Sequence, residues 1–485
     1  MNHYPINHDQ IRKNAAHCRE RGILIPTFAQ MRNPDSIPTA IRDALKKIGL
    51  WDVHPTNLFR ITWKNEPNLQ GGGFGDVNYM MLPPELTGVK AKIVSVCGKW
   101  FPTGAHKVGA TFGCLVPELV SGSYDPASTR AVWPSTGNYC RGGAYVSALL
   151  GCNSIAILPE GMSRERFEWL AKVAGEVIAT PGCESNVKEI FDKCQELEAT
   201  RDDIHIFNQF KEKGNMLWHY SVTGHALEEV IHRHFGGARL AGSVFTSGSA
   251  GTLGAGYYLK QHFPGSKLAV SEALQCPTLL MNGFGDHRIE GIGDKHIPLI
   301  HDVKNTDMVM AVDDAHTLRL LRLFNEPAGH KVLKTYGIAD ELIQGLDQMG
   351  ISCIANMISA IKFAKYYELT ENDVVATVFT DSVQLYQSRL AELNEQYGPY
   401  TEIDAHKDVD LLQNLAYDHV QELSYYDRKR IHNLKYFTWV EQQNIPVDEI
   451  KAQWYEHDSW WGDALMREHE IDEMIMAFNE EIGFK

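Results

Sequence analysis

Short runs of β-branched residues alternate with longer amphipathic stretches between about residue 90 and residue 395. Strand–helix–strand units produce this alternation, so the pattern predicts an α/β protein whose sheets are largely parallel. The predicted strands are 92–97, 131–133, 154–158, 176–179, 204–207, 242–246, 267–271 and 374–379. The predicted helices are 106–120, 139–149, 164–174, 184–198, 217–235, 252–262, 314–325, 352–366 and 383–395.

The segments on either side of this region have different patterns. Residues 1–90 mix helical spacing with a glycine-rich loop, and residues 396–485 combine helical spacing with many aromatic and charged side chains. We therefore expect an N-terminal extension, 1–90, that packs on a core, 91–395, of two interleaved α/β subdomains. We expect residues 396–485 to form a helical appendage that packs on this core or on a neighbouring subunit.

Charge narrows the range of partners. The 485 residues include 46 Lys and Arg side chains against 61 Asp and Glu side chains, a formal net charge of −15. So acidic a chain repels phosphate backbones and anionic membrane surfaces, and we expect neither nucleic acid nor membrane as a partner. At about 100–200 residues per domain, the length predicts two or three domains.

Targeting signals and cysteine spacing add little to this picture. The N-terminal residues lack the apolar stretch of a secretory signal, and the most apolar segment, 143–158, is interrupted by Gly151, Asn153 and Ser154. The nine cysteines form no CxxC pair, so neither a disulfide framework nor a metal site is expected. These features predict a cytoplasmic protein in which most cysteines are buried thiols.

Two of the strand-to-helix turns carry groups suited to a reactive carbonyl and an anion. Lys107 lies just inside a predicted helix, where a partly desolvated amine can act as a nucleophile, although an isolated lysine is more often a surface residue. Residues 135–138, with the sequence STGN, offer hydroxyls and free amides at a helix start. They are equally suited to binding a carboxylate and to capping the helix.

Two later turns complete the set. Small residues at 246–252 let the backbone close around a phosphate, and the hydroxyls of Ser249 and Thr252 can add hydrogen bonds. Since the lysine of a nucleotide P-loop is missing, a phosphate-bearing cofactor is a better prediction than ATP. The turn 379–383 offers one polar partner or a helix cap. Together these groups are what pyridoxal phosphate and an amino acid require.

With these motifs in this order, the chain resembles the fold-type II pyridoxal-phosphate enzymes, the group of cysteine synthase, cystathionine β-synthase, threonine synthase and tryptophan synthase β. Residues 103–107, TGAHK, are similar to the Schiff-base motif of tryptophan synthase β. Residues 380–386, TDSVQLY, are similar to the pyridine-nitrogen motif of cystathionine β-synthase. Cysteine synthases contain segments similar to four others in this chain, in the same order: residues 135–138, 159–182, 248–252 and 291–293.

The resemblance implies an α/β fold of type II, with two αβα domains, and pyridoxal 5′-phosphate as the cofactor. It implies that Lys107 binds the cofactor and then serves as the catalytic base, and that Asn138 lies beside the cofactor's 3′-oxygen. The residues implied to hold the phosphate are Gly248, Ser249, Ala250, Gly251 and Thr252. Ser382 is implied to meet the pyridine nitrogen. The residues implied to contact the substrate are Ser135, Thr136, Gly137, Gln209 and Gly291.

The implied reaction is β-elimination or β-replacement on serine, an O-activated serine or cysteine, through an aminoacrylate. A hydroxyl at the pyridine nitrogen makes the ring a weaker electron sink, which favours loss of a β-substituent, whereas Asp381 there would keep the nitrogen protonated. A serine/threonine dehydratase or a threonine synthase-type lyase uses the same cofactor. A cofactor-binding or scaffolding protein is the alternative outside enzymes. The family also implies a homodimer.

The sequence departs from cysteine synthases at two places near the predicted site. Tyr139 and Cys140 stand where cysteine synthases usually have Thr and Gly. Asp294, Lys295 and His296 follow the motif at 291–293, where small and apolar residues are usual. These differences alter the expected substrate pocket, so the sequence leaves the identity of the amino acid open.

Overall fold

A computed structural model describes residues 4–465 and 467–483. The strands are β1 Tyr79–Leu82, β2 Lys92–Cys97, β3 Arg130–Pro134, β4 Ser154–Pro159, β5 Glu176–Thr180, β6 Ile204–Ile206, β7 Arg239–Thr246, β8 Lys267–Ala273, β9 Met308–Val312, β10 Asp373–Phe379 and β11 Val420–Glu422. All eight predicted strands are present, and β1, β9 and β11 are additional.

Helices cover the strands and form most of both flanks. In chain order they are α1 His8–Glu20, α2 Phe28–Arg32, α3 Thr39–Leu45, α4 Pro84–Thr87, α5 Lys107–Ser121, α6 Asn138–Leu149, α7 Arg164–Val173, α8 Val187–Thr200, α9 Lys213–Trp218, α10 Gly224–His234, α11 Leu253–His262, α12 Thr278–Met281, α13 Asp314–Asn325, α14 Pro327–Thr335, α15 Asp340–Gly345, α16 Ile351–Tyr366, α17 Gln387–Tyr397, α18 Glu402–Gln413, α19 Tyr425–Lys435, α20 Val447–Tyr455, α21 His457–Leu465 and α22 Glu468–Ile482. In the described part of the chain, none of them is long and apolar enough to cross a bilayer.

The strands form two sheets. The larger has seven strands in the order β1-β2-β10-β7-β8-β9-β11, and its five central strands are parallel. The smaller has four parallel strands in the order β5-β4-β3-β6. The central strands are buried along nearly their whole length, as expected for parallel strands covered by helices on both faces. The expected α/β architecture with largely parallel sheets is confirmed.

Helix α5 carries the predicted lysine as its first residue. It is buried along most of its length and packs against α6 and α9. A Cβ atom on Gly113 of α5 would lie 2.4 Å from the backbone oxygen of Gly214 in α9. Only glycine therefore allows this close backbone contact, which fixes the position of α5 and of Lys107 at its first turn.

Both flanking segments take part in the larger sheet and contact each other. Strand β1, before the core, pairs antiparallel with β2, and β11, after the core, pairs antiparallel with β9. Asp472 of α22 accepts hydrogen bonds from the amides of Phe28 (2.7 Å) and Ala29 (3.0 Å) at the start of α2. The C-terminal segment is mainly helical, as expected, and it also supplies this edge strand.

Candidate active site

All the predicted site residues except Gly137 and Ser382 line one cleft, which is partly open to solvent and has a volume of about 680 Å³ when that open space is included. Turns from both sheets line it: Lys107 follows β2, Ser135 follows β3, Gln209 follows β6, Ser249 follows β7 and Thr380 follows β10. Parallel strands present their carboxyl ends at one sheet edge, so residues far apart in the sequence converge there.

Lys107 is the first residue of α5, and its amine is buried in the cleft. The preceding turn is tight because Thr103 (φ 66°) and Gly104 (φ 72°) both adopt the left-handed conformation, which is unusual for threonine. Lys107 Nζ donates a hydrogen bond to Ser249 Oγ at 2.9 Å. Burial lowers the pKa of Lys107 to about 8, so a neutral, nucleophilic amine is accessible near neutral pH.

The loop 248–252 has the form of an anion cradle. It leads into α11, whose first amides donate to backbone oxygens of residues 250–252 and so hold the loop in shape, and Ala250 has a φ of 66°. Ser249 Oγ accepts hydrogen bonds from Lys107 Nζ (2.9 Å) and from Asn215 Nδ2 (3.0 Å). With its acceptor positions used, the Ser249 hydroxyl has its proton free to donate to an anion in the cleft. All five predicted phosphate-loop residues line the cleft.

The loop after β3 presents Ser135, Thr136 and Asn138 to the cleft. Ser135 Oγ accepts a hydrogen bond from the amide of Gly137 at 2.9 Å, which closes the turn. Gly137 is not among the residues that line the cleft, and a Cβ atom there would lie 2.4 Å from the guanidinium of Arg166. Asn138 Oδ1 is buried without a hydrogen-bond partner.

The end of β10 brings Thr380, rather than Ser382, to the cleft. Side chains alternate between the two faces of an extended strand, so those of Val378 and Thr380 lie on the same face, and both residues line the cleft. The chain then turns into a short 3₁₀ segment, Val383–Leu385, and Ser382 is buried outside the lining.

Asp381, the carboxylate that could have met a ring nitrogen, is held elsewhere. Its Oδ2 accepts hydrogen bonds from Asn138 Nδ2 (2.6 Å) and from the Tyr386 hydroxyl (2.7 Å). Asp381 is fully buried, which raises its pKa, and it does not line the cleft. The hydroxyl of Thr380 is therefore the polar group at this strand end that faces the cleft.

The remaining predicted substrate residues, Gln209 and Gly291, both line the cleft. Gly291 lies opposite the phosphate loop, since a Cβ atom on Gly248 would lie 2.9 Å from its backbone oxygen. Gly293 donates its amide to the backbone oxygen of Ser247 at 2.8 Å. These contacts fix the loop 291–293 beside the anion cradle.

Several lining residues were not predicted. Asn356 of α16 accepts a hydrogen bond from the amide of Thr246 and donates one to the backbone oxygen of Val378, both at 2.7 Å. Glu184 lies beyond β5 and has a buried carboxyl group. Asp294 was noticed only as a departure from cysteine synthases. Neither Glu184 nor Asn356 belongs to a recognisable motif, so no signal in one sequence would have found them.

A buried ion-pair network lies behind the loop after β3. Arg166 of α7 contacts Glu290 at 2.6 Å and donates hydrogen bonds to the backbone oxygen of Thr136 (3.0 Å) and to the Tyr386 hydroxyl (2.9 Å). Arg389 of α17 binds the other oxygen of Glu290 at 2.6 Å. The network joins the smaller sheet unit to the segments that follow β10.

Comparisons with known proteins agree with this geometry. Residues 99–343 match the family described as "Pyridoxal-phosphate dependent enzyme". Cysteine synthase of Staphylococcus aureus is 30% identical over 288 residues, which cover 59% of this chain and 84% of that protein. Cystathionine beta-synthase of Saccharomyces cerevisiae is 24% identical over 318 residues, which cover 64% of this chain and 59% of that protein. The chain thus matches less than two thirds of the yeast relative.

Solved structures show the same fold. The O-acetylserine dependent cystathionine beta-synthase from Helicobacter pylori has a TM-score of 0.54 and 23% identity, over 64% of this chain and 94% of that chain. Cysteine synthase from Entamoeba histolytica has a TM-score of 0.56 and 20% identity, and the match covers 69% of this chain and 92% of that chain.

Proposed function

Because the chain belongs to the family of pyridoxal-phosphate-dependent enzymes, we propose that it uses this cofactor for elimination or replacement at the β-carbon of a small L-amino acid. The observation that carries the proposal is the 2.9 Å contact between Lys107 Nζ and Ser249 Oγ. This contact places a desolvated amine beside an anion cradle that follows a different strand. A cofactor with an aldehyde and a phosphate group requires both features at one site. The relatives named above are cysteine and cystathionine synthases, which supports a reaction of this class.

The residues present fit the cofactor. Lys107 offers an amine to the aldehyde, and Ser249 offers a free hydroxyl proton to the phosphate. The buried Asn138 Oδ1 has no partner in the part of the chain that the structure describes, and it can bind a polar atom of the ring. When bound, the cofactor supplies an electron sink for the charge that develops on the substrate's α-carbon.

The chain's own groups orient the substrate and move its proton. Ser135 and Thr136 offer their hydroxyls at the start of α6, where a carboxylate is favoured by the helix dipole. Lys107 Nζ would take the proton from the substrate's α-carbon, because its lowered pKa of about 8 suits a base at neutral pH. Gln209 and Gly291 border the space beyond the α-carbon.

We assign the ring-nitrogen contact to the Thr380 hydroxyl, in place of Ser382, since Thr380 lines the cleft. A hydroxyl can donate to the nitrogen without protonating it, and Asp381 is already bound by Asn138 and Tyr386. A weaker electron sink favours departure of a β-substituent over reactions that need a long-lived carbanion.

The test begins with the absorption spectrum of the purified protein loaded with pyridoxal phosphate. We expect a visible band that Lys107→Ala abolishes. The control is Lys99→Ala, because Lys99 also follows β2 but is paired with Asp347 at 2.5 Å, and this variant should keep the band. A protein that gains no band from added cofactor contradicts the proposal.

Products then identify the reaction. Serine alone, serine with homocysteine, and O-acetylserine with sulfide should each be followed by mass spectrometry. We expect an elimination or a β-replacement product from at least one of these mixtures. Turnover of threonine or phosphohomoserine, with none of the three mixtures, would instead assign a dehydratase or a threonine synthase-type lyase.

Two further properties are proposed with this function. The nine cysteines are free thiols, eight of them buried, which supports a place in the reducing cytoplasm. A homodimer is proposed from the family resemblance, and light scattering of the purified protein tests it directly. A mass of one chain, 54.6 kDa, would contradict the dimer.

A further inference from the structure

Two acidic side chains in the cleft have no role in the function proposed above. Glu184 is 2% exposed and Asp294 is 7% exposed, and both line the cleft. Glu184 Oε2 and Asp294 Oδ2 are buried and have no hydrogen-bond partner within residues 4–465 and 467–483. A buried polar atom left without a partner is costly, so the pair has the character of a binding site that lacks its ligand.

The two carboxyl groups belong to the same part of the cleft. The amide of Gly291 lies close enough to Glu184 to favour its charged form, as does the Thr136 hydroxyl. Asp294 lies three residues after Gly291 in the same loop, and its Oδ1 accepts the amide of His296 at 2.9 Å. Both groups therefore lie on the side of the cleft that the loop 291–294 forms.

Glu272 shows how a purely structural carboxyl group differs. It is equally buried, but its two oxygens accept the amides of Leu279 and Leu280 at 2.8 Å each, and it does not line the cleft. Both Glu184 and Glu272 have a pKa raised to about 8 by burial. The unpartnered oxygen facing the cleft is therefore what distinguishes Glu184 and Asp294.

The balance of charge favours a cation as the ligand. Among the described residues that line the cleft, the basic side chains are Lys107 and His106, and burial lowers the pKa of both. The cofactor's phosphate and the substrate's carboxylate add further negative charge. Burial raises the pKa of both carboxyl groups to about 8. A protonated amine would favour their ionised form and satisfy both free oxygens, whereas a phosphate or thiolate would oppose that ionisation.

We propose that Glu184 and Asp294 bind a protonated amine, so that the β-substituent or the incoming nucleophile of the reaction carries an ammonium group. This inference rests on the proposed function and names its substrate class. The same chemistry can come from either reactant, and the two arms of the test separate them.

The first arm titrates the holoenzyme with L-2,3-diaminopropionate, L-serine and O-phospho-L-serine and follows the cofactor's absorption. The three side chains end in an amine, a hydroxyl and a phosphate. The second arm adds 2-aminoethanethiol or 2-hydroxyethanethiol to holoenzyme saturated with O-acetylserine and measures the apparent affinity for each thiol. We expect a preference of about tenfold or more for the amine in at least one arm, equivalent to about 1.4 kcal/mol.

Variants connect the preference to the two residues. Glu184→Gln and Asp294→Asn keep the shape and remove the charge, so each should reduce the preference to about threefold or less. Asp192→Asn removes an exposed carboxyl group that is paired with Lys188 outside the cleft, and it should leave the preference unchanged. If an amide variant fails to fold, Glu184→Asp replaces it. This variant keeps the charge but moves it back by one methylene, so it should weaken the preference for the amine by about threefold or more.

Three results would overturn the inference: equal affinities in both arms, tightest binding of O-phosphoserine, or a preference that survives in the variants. The first two need only the unmodified protein. If no amino acid changes the cofactor's absorption, the proposed function fails and the inference with it. If serine changes the absorption but amines are not preferred, only the inference fails.

Discussion

Asn138 Nδ2 donates a 2.6 Å hydrogen bond to Asp381 Oδ2 and thereby joins the start of α6 to the end of β10. The Tyr386 hydroxyl donates to the same oxygen at 2.7 Å and accepts from Arg166 Nη2 at 2.9 Å. The orientation of Asn138 therefore depends on side chains that do not line the cleft. A change in any of them should alter the cleft without touching a ligand.

Tyr386→Phe tests this dependence. The substitution keeps the ring and removes a hydroxyl that bonds two ionisable groups in a fully buried place. We expect the free energy of unfolding to fall by about 2–4 kcal/mol, because hydrogen bonds to charged groups contribute about 1.5–3 kcal/mol each. Urea unfolding measures the change. Tyr397→Phe, at a ring that is 59% exposed, is the control and should change stability by less than about 0.5 kcal/mol.

Glu290→Gln should be more damaging. Its carboxylate pairs with Arg166 and Arg389, both at 2.6 Å, and is 3% exposed. Removing one charge of a buried pair leaves the other uncompensated, so we expect a loss of about 3–5 kcal/mol in the free energy of unfolding. Asp192→Asn removes an exposed carboxylate paired with Lys188 and should cost less than about 1 kcal/mol. Equal losses in the two variants would contradict this account.

Gly251→Ala should loosen the phosphate cradle. A Cβ atom at this position would lie 2.1 Å from Asn215 Oδ1, and Asn215 also donates to Ser249. Since overpacking typically costs about 1–3 kcal/mol, we expect affinity for pyridoxal phosphate to fall by about tenfold or more. Equilibrium dialysis of the cofactor-free protein measures the affinity. Gly462→Ala, where a Cβ atom meets none of the described residues within 4 Å, should bind the cofactor normally.

The pKa of Glu184 predicts a pH dependence of stability in the cofactor-free protein. Burial raises this pKa from 4.5 to about 8, so the folded state keeps a proton that the unfolded state loses. The free energy of unfolding therefore decreases as pH rises from about 4.5 to about 8, by at most about 1.4 kcal/mol per pH unit from this group. Glu184→Gln removes the contribution.

Urea unfolding of the wild type and of Glu184→Gln at several pH values within this window checks the prediction. The stability of the variant relative to the wild type should increase with pH. Curves that stay parallel throughout would show that Glu184 titrates normally in the folded protein.

The elements and residues that follow from local pattern were predictable from the sequence. Lys107 and the loop 248–252 each follow a strand with a long apolar run, and the parallel strand order places both at the same sheet edge. Strand β9 was missed because three of its five residues are not β-branched. Strands β1 and β11 were missed because they have only four and three residues.

The positions that the sequence did not predict depend on packing between distant segments. Thr380 faces the cleft instead of Ser382 because the chain turns just after β10, and a motif match does not specify where such a turn begins. Glu184 and Asn356 reach the cleft from a loop and from the middle of a buried helix. Neither location has a periodicity or spacing that marks it.

The two antiparallel edge strands, β1 and β11, limit how this protein can be dissected. A fragment that contains only residues 91–395 would lack both edge strands, so the outer hydrogen-bonding groups of β2 and β9 would be exposed. Unpaired strand edges are templates for intermolecular association, so such a fragment should aggregate even though it contains every residue that lines the cleft. A shortened version of the protein, or a chimaera with a shorter relative, must therefore keep β1 and β11 or replace each with another segment that covers the same sheet edge.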